Sequence, residues 1–179
     1  MRELPPLARR WLLPQRDLLM RRTDLHQSRC WWSVFRTESA KFDRSRVIWA
    51  DFGLTPRAIA VDEGDRFVAL NTCYVVPCGC LGDARALASI LNGPVAAAWL
   101  NVIAEPARGG YRRYLGWTVS LLPLPLRWNR ARKLLAPLGE RAMQGDVPSE
   151  AELLAATLDA YGIDAARVQP LLSWSAGCD

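Results

Sequence analysis

The stretch from Arg46 to Val76 constrains the fold most, because it holds four short strand-like runs separated by turn formers. The runs are Arg46-Val47-Ile48-Trp49-Ala50, Ala58-Ile59-Ala60-Val61, Phe67-Val68-Ala69-Leu70 and Cys73-Tyr74-Val75-Val76. β-Branched and aromatic side chains suit a pleated, half-buried surface, and such runs have the length of ordinary strands. Gly53, Pro56, the Asp62-Glu63-Gly64-Asp65 cluster and Asn71 stand where the chain must turn. The centre therefore predicts a small mixed or antiparallel sheet.

Helical patterns flank it. Leu87, Ile90, Leu91, Val95, Ala98, Trp99 and Val102 keep a three-and-four spacing, with Asp83 placed to cap the start. Asn92-Gly93-Pro94 interrupts this stripe without shifting its register, which predicts one kinked helix. Trp117 to Leu122 reads as a short strand leading into the Leu122-Pro123-Leu124-Pro125 elbow. Trp128 to Met143 reads as a basic helix interrupted by Pro137. Ser149 with Glu152 forms a capping box for a helix that reaches Tyr161 and stops at Gly162. At the other end, Leu4 to Arg22 is amphipathic, with Leu7, Trp11 and Leu18 on one face and Pro14 expected to bend or break it. The expected class is α+β: a small mixed or antiparallel sheet with flanking helices and a helical C-terminal region.

Charge is unevenly distributed. Residues 1–145 hold 22 Lys/Arg against 12 Asp/Glu, whereas residues 146–179 hold one Arg against six acids. Nearly all the cations are arginines, whose planar fork grips phosphates and guanine edges in two-pronged fashion. A basic body points to a polyanionic partner, and equally fits a solvated surface. The longest apolar segment, Val95 to Ala104, is about half a membrane span and contains Asn101. The opening Met1-Arg2-Glu3-Leu4-Pro5-Pro6 lacks a secretory apolar core, so a cytoplasmic location without a membrane partner is expected. Five cysteines, an odd number, then read as thiols in a reducing compartment.

The order strand, polar loop, strand, helix ending in Leu-Asn, Gly-rich loop and Leu-Pro-Leu-Pro carries a resemblance. The pieces are Arg46-Val-Ile-Trp, Ala69-Leu70-Asn71-Thr72-Cys73-Tyr74-Val75-Val76, and Leu87-Ala-Ser-Ile-Leu-Asn92. Gly109-Gly110-Tyr111-Arg112-Arg113-Tyr114-Leu115 and Leu122-Pro123-Leu124-Pro125 complete them. Together they resemble the TaqI-like C-terminal specificity domain of adenine-specific DNA methyltransferases, and parts of restriction–modification proteins. The resemblance implies a helical lead-in over 1–28, a DNA target-recognition domain over 29–127 and a C-terminal helical region over 128–179. It implies double-stranded DNA as a partner, together with a methyltransferase catalytic domain or chain that holds S-adenosylmethionine. The acidic tail with Leu153, Leu154, Leu158 and Tyr161 resembles the helix that closes such enzymes, which suggests an N-terminally truncated or split protein.

The catalytic motifs of that family are missing from the sequence. Pro5-Pro6 lacks the preceding Asn or Asp and the following aromatic that cradle a flipped adenine. Cys78-Gly79-Cys80-Leu81-Gly82 is too short for a nucleotide turn and puts Asp83 where a phosphate would sit. No catalytic, cofactor-binding or metal-binding residue is therefore assigned to this chain.

Two arginine-aromatic loops are the candidate DNA-binding surface. The first contributes Arg29, Trp31, Trp32, Arg36, Lys41, Arg44 and Arg46. The second contributes Arg108, Gly109, Gly110, Tyr111, Arg112, Arg113 and Tyr114, its glycines allowing close approach to a phosphate. Both loops are expected to rise from one end of the sheet. Tandem tryptophans also anchor loops into cores, and Tyr-Arg-Arg-Tyr also suits a solvated turn. Cys73, Cys78 and Cys80 lack a Cys-x-x-Cys pair, so their spacing is poor for zinc. His26, the only histidine, has no neighbouring acid and nucleophile pattern. Two other classes stay open: a subunit docking an acidic protein, and a small enzyme with an apolar pocket of convergent polar groups.

Overall fold

The chain is described as a computed structural model covering residues 4–23, 25, 30–33 and 40–176. It is α+β, with helices flanking two small antiparallel sheets, and it divides into two units, Met1–Thr37 and Glu38–Asp179. The first unit contains α1 (Pro6–Leu12) and α2 (Arg16–Met20), joined by a tight helical turn at Leu13–Gln15 that contains Pro14. Of the expected bend or break at Pro14, the chain takes the break, into two short helices.

In the second unit, β1 (Arg46–Ala50) is the central strand of one sheet, between β3 (Ala58–Val61) and β4 (Cys73–Pro77). Val47 and Trp49 on one face of β1 enter the core with Ala58 and Ala60 of β3. Beneath this sheet lies α3 (Leu81–Leu91), followed by α4 (Pro94–Ile103). The two helices meet at 67° instead of forming one kinked rod. Gly93 is extended, and Pro94, with no N–H to donate, starts a new helix at its first position. The Asn92 side chain then spans to β3: its Nδ2 donates to the Ala58 carbonyl and its Oδ1 accepts from the Ala58 N–H, both at 2.8 Å.

Phe67–Leu70 is not a strand. The Arg46 side chain, 1% exposed, crosses beneath this segment and donates to the carbonyls of Asp65 and Phe67 at 2.8 Å. A guanidinium thus satisfies the carbonyls that a neighbouring strand would have taken. Residues 117–122 depart from expectation too, with α5 (Gly116–Val119) where a strand was expected. Thr118 and Leu122 are buried while Trp117 and Leu121 are exposed, so the run has a period of four, not two.

The C-terminal helices are α6 (Trp128–Met143), α7 (Glu150–Tyr161) and α8 (Ala165–Ala176). Pro137 does not interrupt α6, which runs through it. Ala131, Leu135 and Gly139, four apart, form its buried edge. A Cβ on Gly139 would lie 2.8 Å from the Arg85 carbonyl carbon of α3 and nearer still to its oxygen. Ser89 donates to the Leu135 carbonyl at 3.0 Å across the same contact, and Arg85 pairs with Glu140 at 3.1 Å. Residues 128–179 therefore share the core of 38–127, and the boundary at 127/128 marks a change of secondary structure only. The capping box of Ser149 and Glu152 and the left-handed Gly162 form as the sequence predicts. Among the described residues, no single helix is long and apolar enough to cross a membrane.

Candidate nucleic-acid interface

The second sheet grows from the end of β1. After Asp51 the chain forms β2 (Phe52–Gly53), which pairs with β6 (Arg112–Arg113), and β6 pairs in turn with β5 (Glu105–Pro106). The hairpin closes with the Ala107 N–H donating to the Tyr111 carbonyl at 2.7 Å. Gly109 and Gly110 both take positive φ, 75° and 77°, a turn that β-carbon-bearing residues resist. Register fixes the faces. Phe52 and Glu105 each stand opposite Arg113, and Tyr111 lies two residues back on the same side, so all four share one face. Arg112 points to the other face and is half-buried.

Tyr114 pins this hairpin to the body. It is fully buried, its carbonyl accepts from Trp49 Nε1 at 2.8 Å, and its N–H donates to the Asp51 carbonyl. Its hydroxyl lies 2.9 Å from Asn101 Oδ1 and 3.1 Å from the Leu54 carbonyl, and burial pushes its pKa up to about 12. Asp51 and Arg113 form an ion pair at 2.9 Å, and this bond to Asp51 holds the Arg113 pKa above its ordinary value.

These contacts sort the predicted residues. Arg108, Gly109, Gly110 and Tyr111 are exposed together at the hairpin tip. Arg113 is exposed, but its charge is engaged by Asp51. Tyr114 and Arg46 are corrected: both are interior pins and present no side chain to a surface ligand. Lys41 and Arg44 are exposed, yet they precede the opposite end of β1. At about 3.3 Å per residue the strand separates them from the hairpin by roughly 16 Å. The expectation that both loops rise from one end of the sheet is therefore corrected. An antiparallel strand that enters from one loop and leaves toward the other must place them at its two ends. Trp31 and Trp32 belong to the Met1–Thr37 unit, where they are half-buried and meet edge-on at 5.7 Å. Arg22 donates to the Ser33 carbonyl beside them at 2.6 Å. Arg29, Arg36 and His26 lie outside the described residues.

Two residues escaped the sequence reading. Phe52 and Leu54 are 52% and 59% exposed, and Phe52 packs against Tyr111 with ring centroids 5.2 Å apart at 39°. The available signal was an aromatic at a position followed by Gly53, immediately beyond a strand.

At the start of α3, side chains pack against the glycines. A Cβ on Gly79 would meet Asp83 Oδ2 at 3.1 Å, and the Arg132 side chain covers Gly82. Burial opposes ionisation of Asp83, but the Trp128 indole, Cys80 and Arg132 hold its pKa below the ordinary value. Burial, reinforced by Asp83, pushes the Cys78 thiol up to about 11, far from a reactive thiolate.

An apolar groove of about 1210 Å³ lies elsewhere on this unit, bounded by Ile59, Phe67, Val68, Leu70, Met143 and Val147. Neither Asp83, Cys78, Tyr114 nor Tyr161, whose pKa values are displaced, lines it. No family model matches the chain, and a search of curated proteins finds no match either.

Proposed function

We propose that this chain is a sequence-specific DNA recognition module, acting in the cytoplasm as the target-reading part of an adenine-specific DNA methyltransferase of a restriction–modification or related defence system. Catalysis would come from a separate or fused domain that holds S-adenosylmethionine, and this chain would supply no catalytic residue. The observation that supports the reading best is the hairpin of residues 105–113, which carries Arg108, Tyr111 and Arg112 around a two-glycine turn. Arginines there neutralise phosphates and set register, while side chains on the tip reach base edges. Lys41 and Arg44, exposed ahead of β1, would then be peripheral phosphate contacts.

The test is duplex affinity measured over a range of salt concentrations. Each phosphate contact contributes about 0.9 to the slope of log affinity against log salt. Replacing Arg108 and Arg112 with Ala is expected to weaken binding and flatten the slope by one to two units, about one per lost contact. An unchanged slope overturns the assignment of the hairpin.

One observation favours a second reading, a protein-docking subunit. Ile59, Phe67, Val68, Leu70 and Val147 along the groove are each about half exposed or more, and contiguous apolar surface of this kind marks interaction sites. That reading predicts no duplex affinity at moderate salt.

A further inference from the structure

The face of the small sheet holding Phe52 and Tyr111 differs in chemistry from a phosphate clamp. Its one arginine, Arg113, is paired with Asp51 at 2.9 Å, and Glu105 stands opposite it in register. The face therefore offers little free positive charge. What it offers is ring surface: two aromatics 52% and 40% exposed, continued by Leu54 against Gly110. Free positive charge lies at its margin instead, on the exposed Arg108 at the turn. An apolar platform edged by a cation fits an occupant that is flat and stackable on one side and anionic at its edge. A nucleotide has that form.

We infer that Phe52 and Tyr111 form a stacking platform for a nucleobase that has left the duplex stack, an inference that rests on the DNA-binding reading above. The rings are 5.2 Å apart and tilted, whereas a base inserted between them needs roughly 7 Å, twice the ~3.4 Å stacking distance. The base therefore stacks on the outer face of the pair. Stacking is sequence-tolerant because every base presents a π-face. The platform thus holds a displaced base without identifying it, and Arg108 at the turn grips a flanking phosphate.

The experiment compares two duplexes carrying 2-aminopurine at one position, either fully paired or opposite an abasic site. The proteins are the full chain and its Phe52→Leu and Tyr111→Leu variants, which keep apolar bulk but remove the ring. The full chain is expected to bind the unpaired-base duplex about tenfold more tightly and to quench 2-aminopurine fluorescence. In both variants that preference is expected to fall below about twofold. In Phe52→Leu, which lies outside the base-reading tip, paired-duplex affinity and its salt slope are expected to stay unchanged. Equal binding of the two duplexes by the full chain, or a preference that survives ring removal, overturns the platform while leaving the DNA reading intact. Absence of binding to either duplex at low salt overturns both. Ring removal that leaves DNA binding untouched but abolishes self-association makes the pair a protein contact, and overturns the platform as well.

Discussion

Arg46 and Tyr114 both pin the interior. In sequence each stands in an arginine-aromatic context, and composition alone gives a surface reading. In the fold, Arg46 ties down the crossing segment 62–67 and Tyr114 fastens the hairpin to Trp49 and Asp51. A signal was present for Arg46, which opens a β-branched run whose next residues are buried, but not for Tyr114, which follows the half-buried Arg112 and the exposed Arg113. Tyr114→Phe is expected to leave the Asn101 and Leu54 acceptors without their partner. It should cost about 1–2 kcal/mol in chemical denaturation without changing the net charge of the hairpin. Glu152 carries a second residue-scale prediction. Its bond from Arg141, then those from the Ser149 N–H and hydroxyl, lower its pKa from 4.5 to about 2. A depressed pKa contributes stability that is full above about pH 4.5 and lost as the pH falls through about 2. Glu152→Gln should flatten the pH dependence of unfolding in that window, leaving the share carried by Asp146, which Arg141 also holds low. A pH profile identical to that of the natural chain would show the capping network to be thermodynamically silent.

Elements were legible where one local rule dominated. The capping box at Ser149 and the left-handed Gly162 needed only their own neighbours, and β1, β3 and β4 announced themselves by β-branched runs. Elements failed where a distant side chain decided the outcome. Arg46 replaced a strand partner for 67–70, and Gly116, held against the Tyr74 ring, began a helix in an apparent strand. α8 lies in the region expected to be helical, but its bounds were not legible because its weak pattern follows a stop signal, although the Asp164 side chain accepts from Ala166 N–H at its start. Gly139 carries the element-scale prediction. Its missing Cβ permits α6 to touch the α3 backbone at Arg85. Gly139→Ala should force the helices apart and cost about 1–3 kcal/mol, or more. A thermal midpoint within a degree of the original would contradict this account of the contact.

For the whole molecule, the sequence made the α+β class legible but not the placement of the two basic loops. Charge patterning reports how many cations exist. It does not report that β1 carries its basic approaches to opposite ends, nor that Asp51 engages Arg113. The candidate surface accordingly contracts to one hairpin, with an aromatic pair that the pattern of charges concealed. The central claim, that this surface reads DNA sequence, is tested most directly by selecting bound molecules from a library of random-sequence duplexes at moderate salt and sequencing them. The account predicts enrichment of a short common sequence, lost when Arg108, Tyr111 and Arg112 are replaced together by Ala. Recovery of duplexes with no common sequence, or of the same sequence by the triple variant, would contradict it.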